Sequence, residues 1–370
     1  MKPVDRSIRG LKHLDEYRDG DLAQRITKQI HAVSTKEIRL MEVCGTHTVS
    51  IYRSGIREIV PPNILLISGP GCPVCVTATE EIDKSIKLSH EDRVIVATFG
   101  DLMRVPGSDS SLEKERAEGA DIRIVYSTLD ALNIAANNPE KRVVFLGIGF
   151  ETTAPTIAAA VLEAEKEGIE NFFVLALHKV IPPALEALIS SEDLRVNGFI
   201  CPGHVTSIIG ANAYLPIVEK YHTPCVVTGF EPIDILQGIY MLVEQLERNV
   251  SKVEIQYKRG VTFEGNKNAI ATMYKVFEPC DAPWRGLGVI PDSGLKLRAE
   301  YGRYAAEGQF DLAVPKAKEH PGCKCGDILR GIITPPECPL FRKTCNPSQP
   351  VGACMVSTEG TCAAYYKYQA

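Results

Sequence analysis

Two cysteines, Cys72 and Cys75, stand two residues apart directly after an apolar segment that ends in Gly-Pro-Gly. A pair with this spacing acts as a redox couple, as half of a metal site, or as two small buried residues. The next residues, Thr77 to Glu80, have the S/T-x-x-E pattern of a capping box, which predicts a helix from about Thr77. The pair is therefore expected between a strand and a helix, where the helix dipole favours a reactive thiolate.

Another cysteine, Cys44, follows an apolar run in the same way and is itself followed by Gly-Thr-His47. Cys44 and His47 share a helix face if the first helical turn includes both. His47 can then bind a metal or hold the proton of the Cys44 thiol. Taken alone, the pair is equally consistent with two residues that have no role in chemistry.

The C-terminal part of the chain is rich in cysteine. Four of these residues have the spacing C-x12-C-x6-C-x16-C, namely Cys325, Cys338, Cys345 and Cys362. Four thiolates brought together suit a [4Fe–4S] cluster or a structural zinc ion. Zinc sites usually contain two short C-x2-4-C pairs, which this segment lacks, so a [4Fe–4S] cluster is the favoured interpretation.

Two further cysteines, Cys323 and Cys354, lie beside this group in the sequence. Each is either a cluster ligand or part of an accessory thiol pair that passes electrons to or from the cluster. The remaining cysteines have no partner nearby in sequence and are interpreted as small buried apolar residues; they are Cys201, Cys225 and Cys280.

Short apolar runs rich in Val, Ile and Phe alternate with segments of helical period between residues 37 and 230. Runs of this kind are typical of strands that are buried on both faces of a parallel sheet. The predicted strands are 38–43, 63–68, 93–98, 122–126, 142–146, 172–177, 198–201 and 224–228. Polar side chains follow several of them, and the carboxyl ends of parallel strands share one edge. That edge is expected to gather Cys44, Cys72, Cys75, Asp101, Glu151, His178 and His204.

The sequence Gly-Phe-Glu occurs after a predicted strand at residues 149–151 and again at 229–231, which indicates two related units. The fold class is therefore predicted as α/β, with two similar open parallel-sheet domains, a cleft between them, and an irregular, mainly helical C-terminal iron–sulfur domain. The expected divisions are an N-terminal helical segment at 1–36 that packs on the rest, α/β domains at 37–145 and 146–248, and the cysteine-rich domain at 249–370.

Composition narrows the class of protein. The chain has 370 residues, 45% of them hydrophobic, and a net charge of −5, which argues against nucleic acid as a partner. It shows neither a secretory signal nor an apolar run long enough to cross a membrane, so a cytoplasmic location is expected, where clustered thiols stay reduced. Phosphate-loop and dinucleotide fingerprints are absent from the sequence, and a nucleotide cofactor is not predicted.

Several longer motifs together resemble the HypD family, the scaffold of [NiFe]-hydrogenase maturation. They are CGTHT at 44–48, GPGCPVC at 69–75, GFETTAP at 149–155, PGHV at 202–205, and CGDIL, CNP, GACMVS and CAAYY in the C-terminal part. The resemblance covers most of the chain.

The resemblance implies a scaffold with redox activity rather than a conventional turnover enzyme. Such a protein would bind one iron with the small protein HypC while that iron acquires two cyanides and a carbon monoxide, with cyanide delivered by HypE from a precursor made by HypF. Cys44 would bind the iron together with a cysteine of HypC, and His47 would support it. Cys72 and Cys75 would be a redox pair that the cluster supplies with electrons, as in ferredoxin–thioredoxin reductase. The cleft would be lined by Glu151, Thr152, Thr153 and His204.

Two other functions remain open at this stage. One is a thiol–disulfide oxidoreductase that resembles ferredoxin–thioredoxin reductase and uses Cys72 and Cys75 on a disulfide substrate. The other is a structural zinc protein that acts only as a binding module. Soft thiolate ligands around iron favour the scaffold, because they retain Fe(II) and donate the electron density that cyanide and carbon monoxide require.

Overall fold

The structure, a computed structural model, describes residues 17–191 and 194–369. The strands are β1 (Ile38–Glu42), β2 (Ile64–Ser68), β3 (Val94–Thr98), β4 (Ile122–Ile124), β5 (Arg142–Gly147), β6 (Phe172–Ala176), β7 (Gly198–Pro202), β8 (Cys225–Thr228), β9 (Val253–Ile255), β10 (Phe277–Trp284) and β11 (Gly288–Leu297). All eight strands predicted from the sequence are confirmed.

The helices alternate with the strands through most of the chain, and the helices α14 and α15 near the C-terminus are short. They are α1 (Gly20–Val33), α2 (Gly45–Arg53), α3 (Ile56–Ile59), α4 (Pro73–Val76), α5 (Thr79–Ser89), α6 (Leu112–Ala117), α7 (Thr128–Ala136), α8 (Ala154–Glu167), α9 (Ile181–Ile189), α10 (Gly203–Ile209), α11 (Leu215–Tyr221), α12 (Pro232–Glu247), α13 (Lys267–Val276), α14 (Cys325–Leu329), α15 (Ala353–Val356) and α16 (Thr361–Tyr368). Within the two described ranges, none of these helices is both long and apolar enough to span a bilayer.

Two open parallel sheets form the body of the protein. The first has the strand order β2-β1-β7-β8-β9 and the second has the order β4-β3-β5-β6. Central strands are buried on both faces, and every residue of β3 is buried, which explains why the sequence shows continuous apolar runs instead of alternation. The predicted α/β class with parallel sheets is confirmed.

The two sheets do not follow the expected division of the chain at residue 145. The first sheet combines strands from 38–68 with strands from 198–255, and β5 (Arg142–Gly147) crosses the expected boundary inside the second sheet. The physical reason is that β1 is a buried strand that needs a partner at both edges. It pairs with β2 on one side and with β7 on the other, where Leu40 lies opposite Leu66 and Gly198.

The N-terminal helix α1 packs against α12 on one face of the first sheet. Its buried residues, Ile26 and Ile30, join the same apolar cluster as Ile239 and Leu242 of α12. Residues 1–16 of the expected helical segment lie outside the described part of the chain.

The C-terminal part is helical and irregular, as predicted, but β9 at its start belongs to the first sheet. It also contains an antiparallel hairpin that the sequence pattern did not indicate. In this hairpin β10 pairs with β11, and Trp284 at the end of β10 donates from Nε1 to the Ser293 hydroxyl at 2.8 Å. The sequence of β10 does not look like a strand because it contains Pro279 and Pro283, and proline normally marks an edge strand or a turn.

Candidate thiol and metal centre

Cys44 lies in the loop between β1 and α2, in close contact with the loop that carries Cys72. The Gly45 N–H donates to the Gly71 carbonyl oxygen at 2.9 Å. A Cβ atom on Gly71 would lie 2.3 Å from the Cys44 backbone nitrogen, which no side chain tolerates. Glycine is therefore required at position 71 because the two loops touch, and this contact brings the two predicted cysteine motifs together.

The Cys44 thiol is buried at the start of α2. Burial raises the pKa of Cys44 to about 11, although backbone N–H groups of His47 and Thr46 act in the opposite direction by hydrogen-bonding to the sulfur. The thiol is therefore protonated at neutral pH until a cation displaces the proton.

A short helix that the sequence did not predict carries the cysteine pair. Cys72 is the N-cap of α4 (Pro73–Val76), and Cys75 lies within it. The next helix, α5, begins at Thr79 rather than Thr77, because Glu81 and not Glu80 accepts a hydrogen bond from the N–H of Ala78, at 3.0 Å. The proline at the first position of α4 suits a helix start, since its missing N–H costs nothing there.

The two thiols of this pair are not equivalent. A hydrogen bond with Cys75 lowers the pKa of Cys72, with a smaller contribution in the same direction from Ser357. The pKa of Cys75 is raised, first by its hydrogen bond with Cys354 and then by that with Cys72. Cys72 is therefore the more acidic thiol and the better nucleophile of the two.

The pair is continuous with the C-terminal cysteines. Cys75 donates from its thiol to the Ala353 carbonyl oxygen at 3.8 Å, and α4 packs against α15. The neighbouring Cys354 then faces Cys325, with their Sγ atoms 2.8 Å apart. Sulfur atoms thus follow one another from Cys72 through Cys75 and Cys354 to Cys325.

All six C-terminal cysteines line one small apolar cavity. Its wall is completed by Ile328, Leu340, Phe341, Gly352 and Met355, and its cysteines are Cys323, Cys325, Cys338, Cys345, Cys354 and Cys362. Among the described residues, no three His, Cys, Asp or Glu side chains are grouped around a position for a single metal ion. The donor set, thiols in an apolar wall, fits a cluster that several sulfurs share better than it fits one zinc ion.

The His47 ring is held by groups at the end of β8 in the first sheet. Its Nε2 atom lies 2.9 Å from the Gly229 carbonyl oxygen and 2.8 Å from the Thr228 hydroxyl, while the buried Nδ1 has no partner. Burial lowers the pKa of His47 to about 4, so the imidazole is neutral at physiological pH. The backbone of His47, rather than its ring, contacts the Cys44 sulfur.

Phe230 joins the two histidines of the site and was not singled out from the sequence. Its ring stacks on His204 with centroids 3.9 Å apart and on His47 with centroids 4.8 Å apart. The signal was present in the repeated Gly-Phe-Glu, since Phe230 is the central residue of the second copy. This stack fixes both imidazoles at the carboxyl ends of the first sheet's strands.

Glu151, Thr152 and Thr153 lie at the end of β5, in the second sheet. The Glu151 carboxylate accepts from the Ile181 N–H at 2.8 Å, its other oxygen is buried without a partner, and burial raises its pKa to about 7. Within the described residues, no hydrogen bond links these three residues to Cys44. These three residues follow a strand of the second sheet, whereas Cys44 and His204 follow strands of the first sheet.

Glu359 is a second residue that sequence reasoning missed. It accepts from the Thr46 hydroxyl at 2.7 Å, and its negative charge adds to the raised pKa of Cys44 and acts against the lowering of the Cys72 pKa. The C-terminal segment around Ser357 and Glu359 therefore closes over the loops that carry the cysteines. Only the tertiary structure reveals this, because 313 positions separate Glu359 from Thr46.

Comparison with known proteins supports a single assignment. The model of the HypD family, described as the hydrogenase formation hypA family, matches residues 21–369. A hydrogenase maturation factor HypD of Rhizobium leguminosarum bv. viciae is 46% identical over 368 residues, which cover 97% of this chain and 96% of that protein. The hydrogenase maturation factor HypD of Escherichia coli is 44% identical over 369 residues, covering 97% and 98% of the two chains. The chain therefore belongs to the HypD family of hydrogenase maturation factors.

Proposed function

We propose that this protein is the scaffold on which the Fe(CN)2CO centre of a [NiFe]-hydrogenase is assembled. In this proposal Cys44 binds the cargo iron together with a cysteine of a HypC-like partner, and a HypE-like partner delivers cyanide. The observation that carries the proposal is the series of thiols that runs from Cys72 to the six-cysteine cavity, together with the contact between the Cys72 loop and the Cys44 loop. An iron site connected to a store of electrons is what reductive ligand assembly requires.

Cys44 is suited to hold iron that must later be released. A single soft thiolate from this chain binds Fe(II) and donates electron density to cyanide and carbon monoxide, but it leaves the remaining positions open. Because the pKa of the free thiol is about 11, iron binding must displace a proton. Backbone N–H groups of Thr46 and His47 stabilise the resulting negative sulfur.

Within the cysteine cavity we propose a revised division of roles. The sequence spacing assigned Cys325 to the [4Fe–4S] cluster, yet its sulfur lies 2.8 Å from that of Cys354. Thiolates on different irons of one cluster diverge from each other, whereas two sulfurs this close suit a dithiol that oxidises to a disulfide. The proposed ligands are therefore Cys323, Cys338, Cys345 and Cys362, with Cys325 and Cys354 as the thiol pair. The cluster, when bound, supplies single electrons at low potential.

The electron count of the thiols fits cyanide release. Oxidation of Cys72 and Cys75 to a disulfide forms one S–S bond and gives up two electrons and two protons. Cleavage of the S–C bond of a partner-bound thiocyanate to a thiolate and cyanide consumes two electrons. The acidic Cys72 thiol is the group of the pair that is most readily oxidised first.

A thiol–disulfide oxidoreductase is the second candidate function, and the lowered pKa of Cys72 beside Cys75 favours it. In that case the substrate would be a disulfide, and Cys44 would have no part in the reaction. The scaffold explains more, because Cys44 lies directly against the Cys72 loop.

Anaerobic purification with a HypC-like partner tests the proposal. Infrared bands of metal-bound cyanide and carbon monoxide, with one iron beyond those of the cluster, are the expected result. Cluster iron alone, with rapid turnover of a disulfide substrate, would favour the oxidoreductase instead. Stoichiometric zinc in a colourless protein would refute both functions.

A further inference from the structure

A second pocket opens to solvent beside the cysteine cavity. The two share Cys323, Cys325 and Gly352 as a common wall. Cys323 is also the one partly exposed thiol among the six, since the other five are buried. The pocket therefore brings solvent up to the Cys323 side of the cavity.

The wall of this pocket contains a buried cation whose donor is not used. Arg285 donates from Nε to the Thr77 carbonyl oxygen at 3.0 Å and from Nη1 to the Thr79 hydroxyl at 2.8 Å. Nη1 also lies 3.3 Å from the Glu319 carboxylate. Its Nη2 atom is buried without a partner, although the side chain is only 5% exposed. A buried guanidinium donor without an acceptor is costly, and an anion in the pocket would remove that cost.

The wall of the pocket carries more positive than negative charge, although the protein as a whole is acidic. Two cations, Arg285 and Lys318, line the pocket, while the whole chain carries a net charge of −5. Lys318 lines the pocket and is 71% exposed, and its nearest carboxylate, that of Asp109, lies 3.7 Å away. Glu319 is the one carboxylate that lines the described pocket. The local charge therefore attracts an acidic partner.

We propose that an acidic one-electron carrier protein docks on this pocket, seats a surface carboxylate between Arg285 and Lys318, and delivers electrons on the Cys323 side of the cavity. This inference rests on the proposed function, because it assumes that the cavity holds a cluster. Each docking oxidises the carrier by one electron and reduces the cluster by one electron. Two dockings, with two protons from solvent, return a Cys325–Cys354 disulfide to two thiols.

The location separates electron uptake from electron use. The carrier would bind on the side of the cavity formed by Cys323 and Gly352, whereas Cys354 contacts Cys75 on the side of the iron site.

The test uses a plant-type [2Fe–2S] ferredoxin as the acidic probe and the full chain purified anaerobically. The dissociation constant is measured with oxidised ferredoxin at low and at high salt, and the rate constant of cluster reduction is measured with reduced ferredoxin. Lys318→Glu should weaken binding and slow reduction about tenfold. Glu319→Gln should strengthen binding about threefold, because it removes the carboxylate that competes for Arg285. The matched control is Lys28→Glu on α1, which changes the net charge equally and should have no effect.

A small viologen radical serves as the reference reductant, and its rate constant should not fall in Lys318→Glu. Equal binding by Lys318→Glu and Lys28→Glu, or binding that does not weaken with salt, would overturn the docking inference while leaving the proposed function intact. Iron and sulfide analysis of the same samples tests the cluster separately, since charge-dependent docking is measured with or without it.

Discussion

Cys325 and Cys354 face each other with their Sγ atoms 2.8 Å apart, although 29 positions separate them in the sequence. Both also lie in the wall of the cysteine cavity, and Cys354 hydrogen-bonds to Cys75. Cys354 therefore links the cavity to the Cys72–Cys75 pair. From the spacing of the cysteines in the sequence, Cys354 could equally have been a cluster ligand.

The variant Cys354→Ser should interrupt this link. We expect it to keep the visible absorbance of the cluster but to lose the oxidisable Cys325–Cys354 pair, so that mild oxidation yields one disulfide fewer than in the wild type. Thiol counting by mass spectrometry after alkylation measures this. Cys280→Ser is the matched control, because Cys280 does not line the cavity. Loss of cluster absorbance in Cys354→Ser would show that Cys354 is a ligand.

Replacement of Cys44 should affect only the cargo iron. The variant Cys44→Ala is expected to lose the labile iron and the infrared bands of its cyanide and carbon monoxide, since it removes the one thiolate proposed for that iron. Cluster iron and cluster absorbance should remain at the wild-type level. Cys201→Ala, another buried cysteine at a strand, controls for the removal of a thiol. Loss of cluster iron from Cys44→Ala would contradict the division of cysteines.

A side chain at position 71 should separate the two cysteine loops. In Gly71→Ala the new Cβ would meet the backbone of Cys44, which cannot move aside as a flexible side chain can. We expect the free energy of unfolding to fall by about 2 kcal/mol or more, and labile iron to be lost with it. Urea denaturation and iron analysis measure the two effects. Gly302→Ala, where a Cβ would meet nothing within 4 Å, should match the wild type in both.

The buried carboxyl of Glu151 should make stability depend on pH. Burial raises its pKa from the ordinary 4.5 to about 7, so the folded state binds a proton that the unfolded state has already released between these values. The stabilising contribution is complete below pH 4.5 and is lost as the pH rises to about 7. Compared with Glu151→Gln, the wild type should therefore lose roughly 3 kcal/mol of stability across this range.

Thermal unfolding of both proteins from pH 4.5 to pH 8 tests this expectation. The same substitution at an exposed glutamate, Glu118→Gln, should leave the pH profile unchanged. A constant difference between Glu151→Gln and the wild type across the range would show that the carboxyl is charged throughout.

The sequence predicts the strands well because a buried strand depends on the apolar character of a few neighbouring residues. Buried parallel strands require continuous apolar runs, and each of the eight runs became a strand. The hairpin of β10 and β11 was missed, since prolines at 279 and 283 conceal it. Strand order could not be read from the runs, because the pairing of β1 with β7 is a contact between distant segments.

The candidate site was predicted in part. The cysteine motifs can be recognised from residue type and spacing alone. The structure brings the loops of Cys44 and Cys72 into contact. Glu359 acts through a contact with Thr46, far away in sequence, and no local pattern marks it. Phe230 lies in the repeated Gly-Phe-Glu, but its stacking on His47 and His204 depends on the tertiary structure. The facing of Cys325 and Cys354 likewise depends on how α14 and α15 meet, not on the number of residues between them.

The interleaved first sheet also fixes the order in which the surroundings of Cys44 are completed during synthesis. A ribosome completes β1 and β2 early, but the other edge of β1 stays open until β7 emerges about 160 residues later. Glu359, which hydrogen-bonds to Thr46 beside Cys44, is made later still. A nascent chain that has not reached residue 359 therefore has Cys44 without its native surroundings.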